Sequence, residues 1–254
     1  MTQETISAFG AQWQRYDHTG PSLEDEYLQN VLGPVLSLRD LAGKTVADVG
    51  AGNGRFTAVL AKYAKQVVSV EPAPEAMQNN QKRNHHQPHV HFVPLKAEDL
   101  KSDFALDYVF CIGVLHHIPD MPKALKGLKN MLKPDGKIVL WLYGKEGNEG
   151  YIFCMNILKA MTTWIPDRWL VALSRGFVHP VKAYSRLTRQ CPFLPMAGYF
   201  NRSIAQLSDH EIELIIFDQL NPTTAYYLSR PDIEKLLTQE GFTDFKFYHR
   251  HQYS

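Results

Sequence analysis

With 254 residues and 44 % hydrophobic content, the chain is long enough to bury one large α/β core, or one core that carries an insertion. Its 27 basic and 26 acidic residues leave a formal net charge of +1, without the cationic surplus that neutralises a nucleic-acid backbone. Cys111, Cys154 and Cys191 are too few and too scattered for a disulfide framework or a CxxC metal pair, which predicts a reducing, cytoplasmic setting and no metal.

Residues 1–10 carry Glu4 and lack the basic start and apolar stretch of a secretory signal. Phe9, Trp13 and Tyr16 follow on one helical stripe, so 1–40 reads as an N-terminal helical cap. That stripe either faces a ligand or packs on the core. From 44 to 142, short apolar runs alternate with helix-period segments, the pattern of a parallel sheet with crossover helices. The runs are 45–49, 66–70, 90–94, 106–112 and 137–142. Between the first two, Phe56, Val59, Leu60 and Tyr63 fall at i, i+3, i+4 and i+7 and predict a helix laid on the sheet. Pro74 suits the first turn of the next helix, where its missing N–H costs nothing. Leu125, Leu128 and Leu132 repeat the helical spacing, and Lys133-Pro134-Asp135-Gly136 predicts a turn before the fifth strand.

The segment 144–228 interrupts this pattern and is rich in aromatic and apolar residues, including Tyr151, Phe153, Met161, Trp164, Trp169 and Phe177. Its longest uncharged apolar stretch, 151–158, is far below the roughly 20 residues that span a bilayer, so no membrane span is expected. Ser229 then caps a helix with Ile233, Leu236 and Leu237 on its apolar side and Gly241 as its stop, and 242–249 reads as a sixth strand. The expected fold is α/β: a Rossmann-like, doubly wound, mostly parallel sheet from 41–143 and 229–254, with 144–228 as a mainly helical insertion after the fifth strand.

Chemistry begins where the first strand ends, at Asp48-Val49-Gly50-Ala51-Gly52-Asn53-Gly54. Glycines at alternate positions between a buried strand and an amphipathic helix let the backbone approach a polar ligand, with the helix N-terminus behind it. A dinucleotide fingerprint would require glycine at position 55, where this chain has Arg55. The second strand ends at Glu71, 17 residues beyond Gly54, where a carboxylate can accept both hydroxyls of a ribose laid across the crevice.

These residues resemble class I S-adenosylmethionine-dependent methyltransferases, particularly the small-molecule group that includes the ubiquinone and menaquinone biosynthesis enzymes. The glycine segment is similar to the family's first motif and Glu71 to its second. Leu95-Lys96-Ala97-Glu98-Asp99-Leu100 resembles the adenine-edge segment, Cys111-Ile112-Gly113-Val114-Leu115-His116-His117-Ile118 the post-strand loop, and Leu132-Lys133-Pro134-Asp135-Gly136 the turn before the fifth strand. The resemblance implies S-adenosyl-L-methionine as cofactor and S-adenosyl-L-homocysteine as product. It implies contacts from Asp48, Gly50, Gly52, Gly54, Glu71, Pro72, Lys96, Ala97, Glu98 and Ile112. Lys96 stands where many relatives place an aspartate, which leaves Glu98 or Asp99 to accept from the adenine amino group. The family usually adds a seventh strand, for which only His251 to Ser254 remain.

On the acceptor side, His116 and His117 are the candidate bases, since imidazole titrates near neutral pH; the alternative is that one of them packs or caps a helix. His85, His86, His89 and His91 match no metal-ligand spacing. By the same resemblance, 144–228 is expected to be an acceptor-binding lid or a dimer interface, and Trp13, Tyr16, Tyr143, Phe217, Asp218 and Tyr227 are the candidate substrate contacts. The expected function is methyl transfer to O, N, S or C of a small-molecule acceptor, by a monomer or homodimer without a nucleic-acid partner. The alternatives are an RNA or protein methyltransferase and a non-catalytic S-adenosylmethionine-binding protein.

Overall fold

The computed structural model describes residues 5–7, 10, 24–101, 104–162, 164–202, 204–220 and 225–249. The chain divides into two units, one of 1–144 with 225–250 and one of 145–224.

The first unit is built on five parallel strands in the order β3-β2-β1-β4-β5: β1 Thr45–Val49, β2 Gln66–Val70, β3 Val90–Val93, β4 Leu106–Ile112 and β5 Leu132–Trp141. Strand residues alternate between the two faces, and the burial follows that period. Ala47, Val49, Val68, Val70, Val109 and Cys111 pack with Leu125 and Leu128 of helix α4 (Met121–Asn130). Val46, Val67 and Phe110 pack on the other side with Leu28 of α1 (Glu24–Leu32) and Leu60 of α2 (Arg55–Tyr63). Helix α3 (Pro74–Asn84) starts with the proline at its first turn, as expected. Asp48 and Ser69, two residues on from Val46 and Val67, therefore point toward the α2 side, which decides their partners below.

Three expectations need correction. β3 stops at Val93 because Pro94 has no N–H to extend the ladder. The tetrapeptide 133–136 is not a turn ahead of the fifth strand but an irregularity inside it: Leu106 pairs Leu132 and Tyr108 pairs Lys137, so the extra residues bulge out. β5 is the last strand in the order, an edge where a proline is tolerated. The stretch 242–249 is not a strand. Asp244 takes a left-handed φ of 58°, which breaks the extended run, while Phe242 and Phe245 pack into the core beside Ile233 and Leu236. Helix α9 (Arg230–Gln239) opens with the expected cap, a reciprocal Ser229–Asp232 capping box, and Gly241 follows at φ 72°.

The second unit is helical: α5 Glu149–Thr162, α6 Asp167–Gln190, α7 Ala197–Arg202 and α8 Asp209–Leu220. Leu170 and Val171 of α6 pack with Phe217 and Leu220 of α8, and Val178 packs with Ile204 and Ile212. The Thr162 hydroxyl donates to Leu220 O at 2.8 Å, and Tyr151 donates to Gln219 Oε1 at 2.7 Å. Among the described residues, no helix is long and apolar enough to cross a membrane.

Candidate functional site

A parallel sheet opens a crevice at the carboxyl edge of its strands where the strand order reverses, here between β1 and β4, with β2 on the other side of β1. Gly50 and Ala51 both donate to Val70 O, at 2.8 and 3.0 Å, which turns the chain sharply out of β1. Gly50, Gly52 and Gly54 sit at φ 76°, 55° and 78°, a region costly for residues with a side chain. A Cβ on Gly50 would lie 2.3 Å from Val114 Cγ2, and one on Gly54 would lie 2.2 Å from Asn80 Oδ1.

Beside this turn lies a cleft of about 660 Å³, its open mouth included, whose walls contain Gly50, Glu71, Pro72, Lys96, Ala97, Glu98, Ile112 and His117. The turn, the second strand end, the adenine-edge segment and the post-strand loop thus converge on one place. Asp48, Gly52 and Gly54 do not line the cleft themselves. Sequence reasoning missed Ile6, and it placed Leu95 and Val114 in the two motif segments without naming them as contacts; all three line the cleft. Ile6 is buried against Ala73 and Ala76, a contact without periodic signal in so short a segment.

Glu71 is 6 % exposed. Its carboxylate accepts from Gly52 N–H at 2.9 Å and from Ala73 N–H at 2.8 Å. Burial raises its pKa, the two N–H donors pull it down, and the Asp48 charge adds a further rise. Each oxygen keeps lone-pair capacity for another donor. Asp48 begins a buried polar chain: Thr57 donates to it at 2.7 Å, Thr57 and Ser69 hydroxyls meet at 2.8 Å, and Asn80 donates to Ser69 at 2.7 Å. Asn84 then donates to Asn80 Oδ1 and to Gly54 O, both at 3.0 Å. The pair Asn80 and Asn84, at i and i+4 on one face of α3, therefore holds the end of the glycine turn. Burial pushes the Asp48 carboxyl from 3.8 up to about 6, against the lowering effect of the Thr57 hydroxyl and backbone N–H and of the Arg55 charge. Arg55 itself stacks over the Phe56 and Tyr27 rings, with its guanidinium carbon 4.6 and 5.3 Å from their centroids.

A second device holds the Ala97–Asp99 turn. Gly127 of α4 would place a Cβ 2.0 Å from Ala97 O, so only glycine lets the helix lie directly against that carbonyl.

His117, 4 % exposed, reaches the cleft wall, whereas His116 is fully buried outside it. His116 stacks on Tyr143 with centroids 4.0 Å apart, Tyr143 stacks on Tyr227 at 5.5 Å, and Trp141 stands edge-on to Tyr143 at 5.6 Å. The strap 225–228 is pinned there: Tyr226 N–H donates to His116 O at 2.9 Å, and Leu228 N–H to Tyr143 O at 3.0 Å. The Trp141 indole N–H has no partner among the described residues. Phe217 belongs to the helical unit, buried at 3 % exposure in its own core. Trp13, Tyr16 and the Asp218 side chain lie outside the described residues. Among the described residues no grouping of three or more His, Cys, Asp or Glu could hold a metal ion. Cys111 is sealed in the core, where burial pushes its thiol up to about 12, too high for a nucleophile at neutral pH.

Fold and cleft together define a nucleoside-binding α/β domain. Residues 47–140 match the family described as "Methyltransferase domain". The chain is 33 % identical over 118 residues to a tRNA U34 carboxymethyltransferase of Pseudoalteromonas atlantica, covering 45 % of this chain and 36 % of that relative. It is 31 % identical over 143 residues to a ubiquinone biosynthesis O-methyltransferase of Xanthomonas oryzae, covering 54 % and 60 %. Among solved structures it is similar to Haemonchus contortus phosphoethanolamine N-methyltransferase 1 in complex with phosphoethanolamine and S-adenosylhomocysteine, at 29 % identity and TM-score 0.46, covering 57 % of this chain and 34 % of that one. The chain thus spans from about a third to three fifths of the length of these curated relatives. Residues 47–140 thus match a methyltransferase domain, and the chain is similar to methyltransferases over about half its length.

Proposed function

We propose that the chain transfers a methyl group from S-adenosylmethionine to a small-molecule acceptor and releases S-adenosylhomocysteine. The observation that carries this reading is the convergence of the glycine turn, the buried Glu71 carboxylate and His117 on one cleft. The residues present fit the cofactor. Glu71 has acceptor capacity for ribose hydroxyls, the turn at Gly50 offers backbone without side chain, and Arg55 leaves no third glycine for a pyrophosphate. Asp48 would orient the ammonium end, Lys96, Ala97 and Glu98 the adenine edge, and Ile112 with Val114 would supply the apolar wall. When bound, the cofactor supplies an activated methyl on a sulfonium, with a neutral thioether as leaving group.

The chain's own contribution is alignment, water exclusion and a proton acceptor. His117 is the group on the cleft wall that takes a proton from an acceptor hydroxyl or amine. His116 is its buried support, stacked on Tyr143 and fixed by the strap at Tyr226. Tyr143, Tyr227 and Trp141 form an aromatic flank suited to a planar or apolar acceptor, and a net charge of +1 supplies no field for a polyanion. A second reading, with RNA as acceptor, draws on the tRNA-modifying relatives. Methyl-labelled S-adenosylmethionine, offered with a deproteinised metabolite extract and separately with total tRNA, distinguishes the two. Label in the extract supports the proposal, and label in tRNA alone replaces it with the second reading. Absence of calorimetric binding of S-adenosylhomocysteine overturns both.

A further inference from the structure

The helical unit carries an exposed apolar surface that the proposed chemistry does not use. Along α6, at about 100° per residue, Trp169, Leu173, Phe177, Pro180, Tyr184 and Leu187 fall on one strip. Trp169 is 60 %, Phe177 48 % and Leu187 46 % exposed, values that a core-facing strip would not show. The positions beside the strip are Ala172, Gly176 and Ala183, so no charge interrupts it. The buried side of the same helix is separate: Val171, Ser174, Val178, Ser185 and Thr188 face the unit's interior. The remaining strip collects every Lys and Arg of the helix, namely Arg168, Arg175, Lys182, Arg186 and Arg189, against the single acid Asp167. Glu213 pairs with Arg175, and Asp209 with Lys182. Arg168, Arg186 and Arg189 stay exposed. On α5 of the same unit, Phe153, Ile157 and Met161, at i, i+4 and i+8, are also exposed, and Trp164 beyond them is 89 % exposed.

We propose that α6 is an interfacial helix that docks the chain on an anionic lipid surface. A helix with Trp, Phe and Leu on one side and Lys and Arg on another has the composition of a segment that lies in a bilayer interface. It lies on the membrane rather than across it, since no described helix is apolar enough to span one. The long arginine stems bring their charges to headgroup level from the flanks of the helix, and anionic lipid draws them within a Debye length. An RNA surface fits less well. Single-stranded nucleic acid needs aromatics and cations interleaved on one face, and here they occupy opposite strips. This inference goes beyond the methyl-transfer reading and does not depend on it.

The test is co-sedimentation of the full chain with vesicles of phosphatidylcholine alone and of phosphatidylcholine with one quarter phosphatidylglycerol. Partitioning at least about tenfold stronger onto the anionic vesicles, weakening with added salt, is expected. Blue-shifted tryptophan emission should accompany it. The double variant Trp169→Gln/Phe177→Gln should lose at least about tenfold in partitioning with unchanged S-adenosylhomocysteine affinity and unfolding midpoint. Arg186→Glu/Arg189→Glu serves as a second variant that leaves the apolar strip intact, and it should lose the preference for anionic lipid. No partitioning by the unaltered chain overturns the proposal. So does a self-association that the apolar variant dissolves without any lipid binding, which assigns the strip to a second copy, and so does tRNA retention that the same variant abolishes.

Discussion

Replacing Asp48 by asparagine tests whether the buried carboxyl under the glycine turn is held against its preferred ionisation. The side chain is 2 % exposed and accepts from Thr57 Oγ1 at 2.7 Å; asparagine keeps the shape and an acceptor oxygen but cannot ionise. Burial raises the folded-state pKa from 3.8 to about 6, which corresponds to about 3 kcal/mol between the two protonation states. Because the folded value is raised, the carboxyl's stabilising contribution is fully present below pH 3.8 and is lost as pH rises through about 6. Denaturant unfolding of both proteins at steps between pH 4 and pH 7.5 isolates this group together with its coupling to Glu71, since titrations that do not feel Asp48 cancel in the difference. Relative to the unaltered chain, Asp48→Asn should gain about 2.5 kcal/mol over that range, most of it between pH 4 and 6. S-adenosylmethionine affinity should move oppositely. On the proposed reading, in which Asp48 orients the ammonium end without lining the cleft, the affinity should weaken in the unaltered chain below pH 6 as that carboxylate is protonated, and stay flat in the variant. A stability difference independent of pH refutes the argument, as does one that shrinks as pH rises.

Glu71→Gln replaces one of two acceptor oxygens by a donor that opposes the N–H of Gly52 or Ala73; the loss of about 1.5–3 kcal/mol expected for a bond to a charged group should weaken S-adenosylhomocysteine at least tenfold by calorimetry, and unchanged binding would sink the assignment of that wall. Gly127→Ala should lower cofactor affinity from a position outside the cleft, because its Cβ meets Ala97 O at 2.0 Å; overpacking of about 1–3 kcal/mol outweighs the roughly 1 kcal/mol gain in helix propensity, so a more stable variant with intact affinity contradicts the packing argument. Tyr227→Ala removes a ring stacked on Tyr143, worth about 0.5–1.5 kcal/mol; kcat for the identified acceptor should fall several-fold while S-adenosylhomocysteine affinity stays within about twofold, and the reverse pattern would move Tyr227 to the cofactor side.

Much of the first unit is legible in the sequence because a sheet buried on both faces writes its strands as short apolar runs, and its crossover helices as a 3.6-residue period. Thr45–Val49, Gln66–Val70 and Leu106–Ile112 have the bounds their runs predict, and the Ser229 cap and Gly241 stop follow from local backbone chemistry. The cleft residue Glu71 is likewise marked by its place at a strand end, whereas Lys96 to Glu98 and Ile112 come from the family resemblance. What the sequence could not supply depends on partners far along the chain. Whether 133–136 turns or bulges is settled by pairing with β4, 26 residues earlier at Leu106↔Leu132. Whether 242–249 forms a strand is settled by where Phe242 and Phe245 find apolar cover. The Asp48–Thr57–Ser69–Asn80–Asn84 chain joins β1, α2, β2 and α3, and no periodicity announces such a network. Gly127 reads from sequence as a weak helix residue, and only the 2.0 Å approach to Ala97 O gives it a reason. His116 and His117 are adjacent and chemically alike, yet the fold buries one behind Tyr143 and sets the other on the cleft wall. Local propensity carries the elements because it needs only neighbours in the chain. Which side chain meets which is decided when the elements pack, because burial forces each polar group to find its partner in three dimensions.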